Sequence, residues 1–184
     1  MMMRRWLPVV SGICAVAMLS ACGVARLSRH WSEVQTARAF WTYGGGGQPF
    51  LIEVHNPPPD VTPAALAAAF PAPPLVAPPL RYTAVAGEAS RPEYRFVLMF
   101  GAPVQADGAD ACAGDIPALT GGEALQAAFC YRERVLSEIR GDALGDSFAS
   151  GADSPAARRL LFDVVRYLVP PPELDSNDCR VPDC

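Results

Sequence analysis

The chain has 184 residues, 51% of them apolar and 18% charged, with 19 prolines and six cysteines. That is enough for one ordinary domain, and the composition is too apolar for wholesale disorder. All 15 basic residues are arginine, which excludes any chemistry that needs a lysine, and only His30 and His55 offer imidazole.

Arg4 and Arg5 precede an apolar run over 7–19, which is followed by Leu19-Ser20-Ala21-Cys22-Gly23. A bilayer-spanning helix needs about 20 apolar residues, so the run fits the centre of a signal peptide better than a span. The tetrapeptide ending in Cys22 resembles the lipobox of bacterial lipoproteins, in charge, length and order of the leader. The resemblance implies cleavage before Cys22, lipid on its sulfur and an acylated amino terminus. The partner so implied is the membrane, reached through a lipid anchor that holds stably when two or more chains are present. It places the protein in the cell envelope, facing the periplasm or exterior. Gly23, where an aspartate would mark inner-membrane retention in that family, favours the outer membrane.

Without residues 1–21 the chain keeps thirteen arginines against nineteen acids. The arginines are scattered among acids, so no basic stripe invites nucleic acid. Cys112, Cys130, Cys179 and Cys184 remain, an even number that suits an oxidising compartment. Of three possible pairings, Cys112–Cys130 with Cys179–Cys184 joins nearest neighbours. A zinc site is disfavoured because no C-x-x-C pair is present; no cofactor is expected.

The 22–48 segment is expected to carry the lipid and act as a tether, with either a short helix or an edge strand near Trp41. A glycine run at 44–47 lacks the lysine of a phosphate loop. Residues 50–55 alternate as a strand, with Phe50, Ile52 and Val54 on the core face and Glu53 and His55 opposite, until Asn56 and three prolines stop it. Thr62-Pro63 caps a short helix over 64–70, and a proline-rich extended crossing follows over 71–80.

Residues 94–100 form the clearest strand, apolar on both faces and therefore central; a loop rich in alanine, glycine and aspartate carries Cys112. The 123–140 segment fits a helix or a hairpin, and the alternation on either side of residues 132–134 favours the hairpin. Asp153-Ser154-Pro155 caps a helix to residue 168, with Ala157, Leu160, Leu161, Val164, Val165 and Leu168 as its apolar stripe. Residues 170–184 form a proline-rich, acidic tail. The expected domain, 49–169, is α+β: a small antiparallel sheet with helices on one face, stapled by disulfides.

Gly145-Asp146-Ser147 resembles the nucleophile block of GDSL hydrolases, which implies a small exported serine hydrolase as the alternative function. No histidine follows Ser147 to act as its base. Glu53 and His55 make an incomplete metal or base site; they read first as an ordinary surface pair beside a sheet edge, and as a candidate binding face. The His-Asn-Pro strand end and the Ala-Ala-Phe-Cys segment resemble small exported envelope proteins to which no activity attaches. The expected function is therefore a lipid-anchored, non-enzymatic binding or structural module that meets an envelope protein partner.

Overall fold

A computed structural model describes residues 26–171 apart from 47, 74–79 and 122. Cys22, its leader and the Cys179–Cys184 pair lie outside the described residues. The fold is α+β. Strands β1 (Arg26–Ser32), β2 (Phe50–His55), β3 (Tyr82–Thr83), β4 (Tyr94–Phe100), β5 (Leu125–Tyr131) and β6 (Arg134–Ala143) form one sheet in the order β1-β6-β5-β4-β2-β3. Helices α1 (Val34–Gly45), α2 (Pro63–Ala69), α3 (Gly108–Ala113) and α4 (Pro155–Leu168) complete the described elements.

The expected antiparallel sheet is instead mixed. β2 lies parallel to both β3 and β4, while β4, β5, β6 and β1 pair antiparallel in turn. The cause is that the chain returns to the starting end of β2 before each of these strands, by way of α2 before β3 and through residues 84–93 before β4.

The first face of the sheet carries the main core. Phe96, Leu98, Phe129, Leu136 and Ile139 pack there against α1, α2 and α4. The expected stripe of α4 is buried along its whole length. Its cap is Ser154, whose Oγ accepts from the Ala157 N–H at 3.2 Å. At the other end, Ser137 Oγ donates to the Leu168 carbonyl at 2.5 Å and satisfies one of the orphan groups of the last turn.

The tether reading of 22–48 does not survive for its described part. Residues 26–45 supply β1 and α1, and Ala37 and Trp41, four apart on one helical face, are buried in the core. Trp41 stacks on Phe96, with planes 2° and centroids 5.3 Å apart, and lies 4.8 Å from Phe50. The domain therefore begins by Arg26, not at residue 49.

Helices do not keep to one face either. Short α3, expected as loop, packs on the second face with Val97, Met99, Ala128 and Cys130. Asp107 Oδ1 caps it by accepting from the Asp110 N–H at 2.9 Å, and Gly114 ends it in the left-handed region at φ 83°. The Cys112–Cys130 disulfide bolts α3 to β5 across a separation of 18 residues. Closing a loop of that size contributes about 3 kcal/mol in the chain-entropy account. It is the one disulfide among the described residues, so stapling by several is more than they carry.

The hairpin reading of 123–140 holds. Arg132 turns the chain at φ 55°, a conformation that costs a non-glycine residue about 1 kcal/mol. The site compensates. Arg132 N–H donates to the Glu93 carbonyl at 2.7 Å, its carbonyl accepts from Arg95 Nη1 at 2.9 Å, and its guanidinium lies 5.3 Å from the Tyr131 ring centre.

Candidate functional site

Two polar regions stand out, on different parts of the sheet. The first is the Glu53–His55 face. Both side chains leave β2 on the second face, because residues two apart on a strand share a side. His55 Nε2 lies 2.7 Å from Glu53 Oε1, and Arg95 Nε from β4 donates to Glu53 Oε2 at 2.9 Å. The His55 hydrogen bond, with the Arg95 charge behind it, holds the Glu53 carboxyl below its usual range against the opposing effect of partial burial. Arg95 continues to the Cys112 carbonyl, which accepts from Nη2 at 2.9 Å. Both carboxylate oxygens of Glu53 thus have partners, and the arrangement knits β2, β4 and α3 together. Arg95 was missed in the sequence, where it stands as one charge inside an apolar strand.

The second region is a half-open cavity of about 520 Å³. It lies at the end of the sheet where β2, β4 and β6 finish and β5 begins, built from the loops that follow or precede those strands. Asn56 and Asp60 let the loop after β2 turn, at φ 50° and 62°, conformations that Asn and Asp adopt more readily than most residues. Asn56 Nδ2 donates to the Phe100 carbonyl at 3.0 Å and fastens this loop to the end of β4.

Gly101 then turns the chain at φ 73°, where an added Cβ would stand 1.8 Å from the Thr120 carbonyl oxygen. Only glycine lets the backbone at 101 and 120 approach so closely beside the cavity. The last wall is a short 3₁₀ turn, Gly145–Phe148.

Phe100 and Phe148 supply an apolar floor, edge to face with centroids 5.5 Å apart. Asp60, Glu123 and Asp146 also line the cavity, and no basic residue does. None of these three carboxylates has an ion-pair partner among the described residues. Yet no group of three or more acidic, histidine or cysteine side chains among the described residues is close enough to hold a metal ion. The acids surround the space without converging on a point.

The Gly145-Asp146-Ser147 block therefore divides. Asp146 lines the cavity, whereas Ser147 is buried and its Oγ donates to the Leu144 carbonyl at 2.5 Å inside the turn. His55 is engaged with Glu53, and of His30 only the backbone is described, paired with Ile139 across from β6. The structure brings Glu53 and His55 together, places neither in the cavity lining, and joins Cys112 to Cys130.

In the sequence, residues 56–61 carry only the signal of a strand stop, and Glu123 that of a cap. Position at the carboxyl ends of two parallel strands is a common place for a binding site, but that position is visible only once β2 and β4 are seen to be neighbours. No protein family, curated protein or solved structure matches this chain.

Proposed function

We propose that this chain is a lipid-anchored module of the bacterial cell envelope that binds a small ligand in the cavity beside Phe100 and Phe148, holding it without transforming it. The observation that carries the binding role is the cavity itself. Its volume of about 520 Å³ falls within the range of small-molecule sites, and its lining mixes an apolar floor with a few polar groups, as such sites do. The anchor rests on the lipobox ending in Cys22, and an oxidising compartment agrees with the Cys112–Cys130 bridge. No helix among the described residues is long and apolar enough to cross a membrane. Lipid on Cys22 would do the anchoring, a Cys179–Cys184 bridge would close the tail, and Gly23 favours the outer membrane. The Glu53–His55 face remains the surface for an envelope protein partner.

The hydrolase reading is weaker, because the Ser147 hydroxyl is committed to the Leu144 carbonyl in a buried turn.

Two experiments test the proposal. Palmitate fed to a bacterial host expressing the full chain should label it, and Cys22→Ser should abolish labelling and leave the leader attached; continued labelling refutes the anchor. Ligand-observed NMR with a fragment library should find binders to the protein purified from membranes. Gly121 lines the cavity with open space around its missing Cβ, so Gly121→Trp should fill the cavity and abolish those hits. A library without hits, or hits indifferent to the tryptophan, refutes the binding role.

A further inference from the structure

We infer that residues 101–120 form a flap over the second face of the sheet, and that oxidation of Cys112 and Cys130 latches it. With both cysteines as thiols the flap opens while the rest of the domain stays folded. Neither the cavity's ligand nor the lipid anchor is needed for this.

The ends of the segment meet, since the Thr120 N–H donates to the Gly101 carbonyl at 3.1 Å. Between them the chain leaves the sheet and returns, as compact surface loops with joined ends do. Arg140, only 4% exposed, holds the hinge by donating to the Ala102 and Pro103 carbonyls at 3.2 and 2.9 Å. Further along, α3 lies over Val97, Met99 and Ala128, which are fully buried.

Little besides the cystine keeps α3 down. An isolated helix shorter than about 12 residues is marginal in water, and α3 has six. Its buried residues are Gly108, Ala111 and Cys112, so apart from the cystine it commits only the Ala111 methyl group to the second face. The rest of the flap adds the small side chains of Ala102 and Ala106, and Ile116 and Leu119, which are only partly buried. The Gly108 N–H donates to Glu138 Oε2 at 2.5 Å, and the Cys112 carbonyl accepts from Arg95 Nη2 at 2.9 Å. Opening hands both partners of each bond to water, so their net contribution is smaller than the cost of deleting one partner. The main core is independent: Trp41, Phe96, Phe129 and Leu161 pack on the first face with no residue of the flap among them.

In the latching step the two thiols give up two protons and two electrons as the Cys112–Cys130 bond forms. An oxidant of the disulfide class is cleaved to two thiols in exchange. The closed flap then shields the product, for Cys112 and Cys130 are 1% and 0% exposed. A reductant must wait for the flap to lift. An exported chain would thus complete its second face once, on reaching an oxidising compartment.

Hydrogen–deuterium exchange of the full chain, read by mass spectrometry, tests the inference. Removing a cross-link that spans 18 residues should shift local opening by about a hundredfold. In Cys112→Ala/Cys130→Ala the amides of 108–115 should exchange faster by that factor, while 94–100, 125–131 and 155–168 keep their slow exchange. An endoproteinase that cuts at aspartate should nick this variant at Asp107, Asp110 or Asp115 and spare the oxidised protein. Cys179→Ala/Cys184→Ala should exchange at 108–115 as the natural chain does. The natural chain refolded with a phosphine reductant should match the Cys112→Ala/Cys130→Ala variant, and oxidised glutathione should restore slow exchange.

Unchanged exchange at 108–115 overturns the inference, because the flap then holds itself. A rise spread evenly over the whole domain, or a reduced chain that does not fold, overturns it too, by making the bridge a staple of the entire fold. The same local rise in Cys179→Ala/Cys184→Ala would take the latch away from Cys112 and Cys130.

Discussion

Arg95 donates from Nη2 to the carbonyl of Cys112 while its Nε pairs with Glu53, each at 2.9 Å, so a single guanidinium ties the β2–β4 strand pair to the disulfide-bearing helix. The arginine is only 15% exposed, and a third bond reaches the Arg132 carbonyl in the hairpin turn. Hydrogen bonds to charged groups contribute about 1.5–3 kcal/mol each when one partner is removed. Arg95→Met keeps the aliphatic stem and deletes all three. The Arg132 bond is exposed and Glu53 is partly solvated, so the three do not add in full, and the loss should be about 3 kcal/mol, read from the urea midpoint with the slope unchanged. A shift under a third of that would mean the contacts are exchanged for water at little cost.

The same carboxylate gives the fold a pH dependence. Glu53 in the folded state lies below its ordinary value because of the His55 hydrogen bond first and the Arg95 charge after it. Between the folded and unfolded values the unfolded chain binds more protons, so stability rises with pH across that window. The contribution is fully present above the unfolded value near 4.5 and is lost as pH falls through the lower folded value. Glu53→Gln should therefore be less stable than the natural protein at pH 6, with the gap in melting temperature closing towards pH 3. A gap that stays constant over this range would show that Glu53 does not titrate differently on folding.

Local patterns were legible where one element settles its own burial. The α4 stripe and the two strands at 50–55 and 94–100 were readable because each follows a single period, with a cap or proline at its end. Strand β1 was not. Arg29 and His30 interrupt any apolar alternation, and the strand exists because β6 offers it a partner. Short α3 likewise depends on the Cys112–Cys130 bridge and the Arg95 contact, neither of which is local. The cavity was least legible, since its walls come from three connections, after β2, before β5 and after β6, that meet only after the sheet has assembled.

Trp41 tests how far α1 belongs to the core. It is 1% exposed among Phe50, Phe96 and Phe129, and its indole Nε1 has no hydrogen-bond partner among the described residues. Truncation to alanine should cost about 3–5 kcal/mol. Trp41→Phe loses volume too, but it also removes a buried N–H whose unmet demand costs about 1–3 kcal/mol. The two effects oppose, so Trp41→Phe should cost about 1 kcal/mol or less. Equal losses for the two substitutions would show that the indole N–H is satisfied in solution.

The sheet register also fixes which end of the domain would face a membrane. Phe100 pairs with Leu125, Leu125 with Gly141, and Gly141 with Leu27, so the start of β1 lies in the same row as the cavity floor. Three residues lie between Cys22 and Arg26, so four Cα–Cα steps give a reach of at most about 14 Å. Lipid on Cys22 would therefore hold the cavity end towards the bilayer and the Arg132–Glu133 turn, at the other end of the strands, away from it. Fluorophores attached to Gly121→Cys and to Glu133→Cys in the full-length lipidated protein, reconstituted in vesicles, should report this difference. Headgroup-linked nitroxide should quench the label at 121 severalfold more than the label at 133. Inserting a flexible twenty-residue linker after Gly23 should bring the two closer to equal. Equal quenching without the linker would mean that the domain lies on its side, or that the anchor is elsewhere.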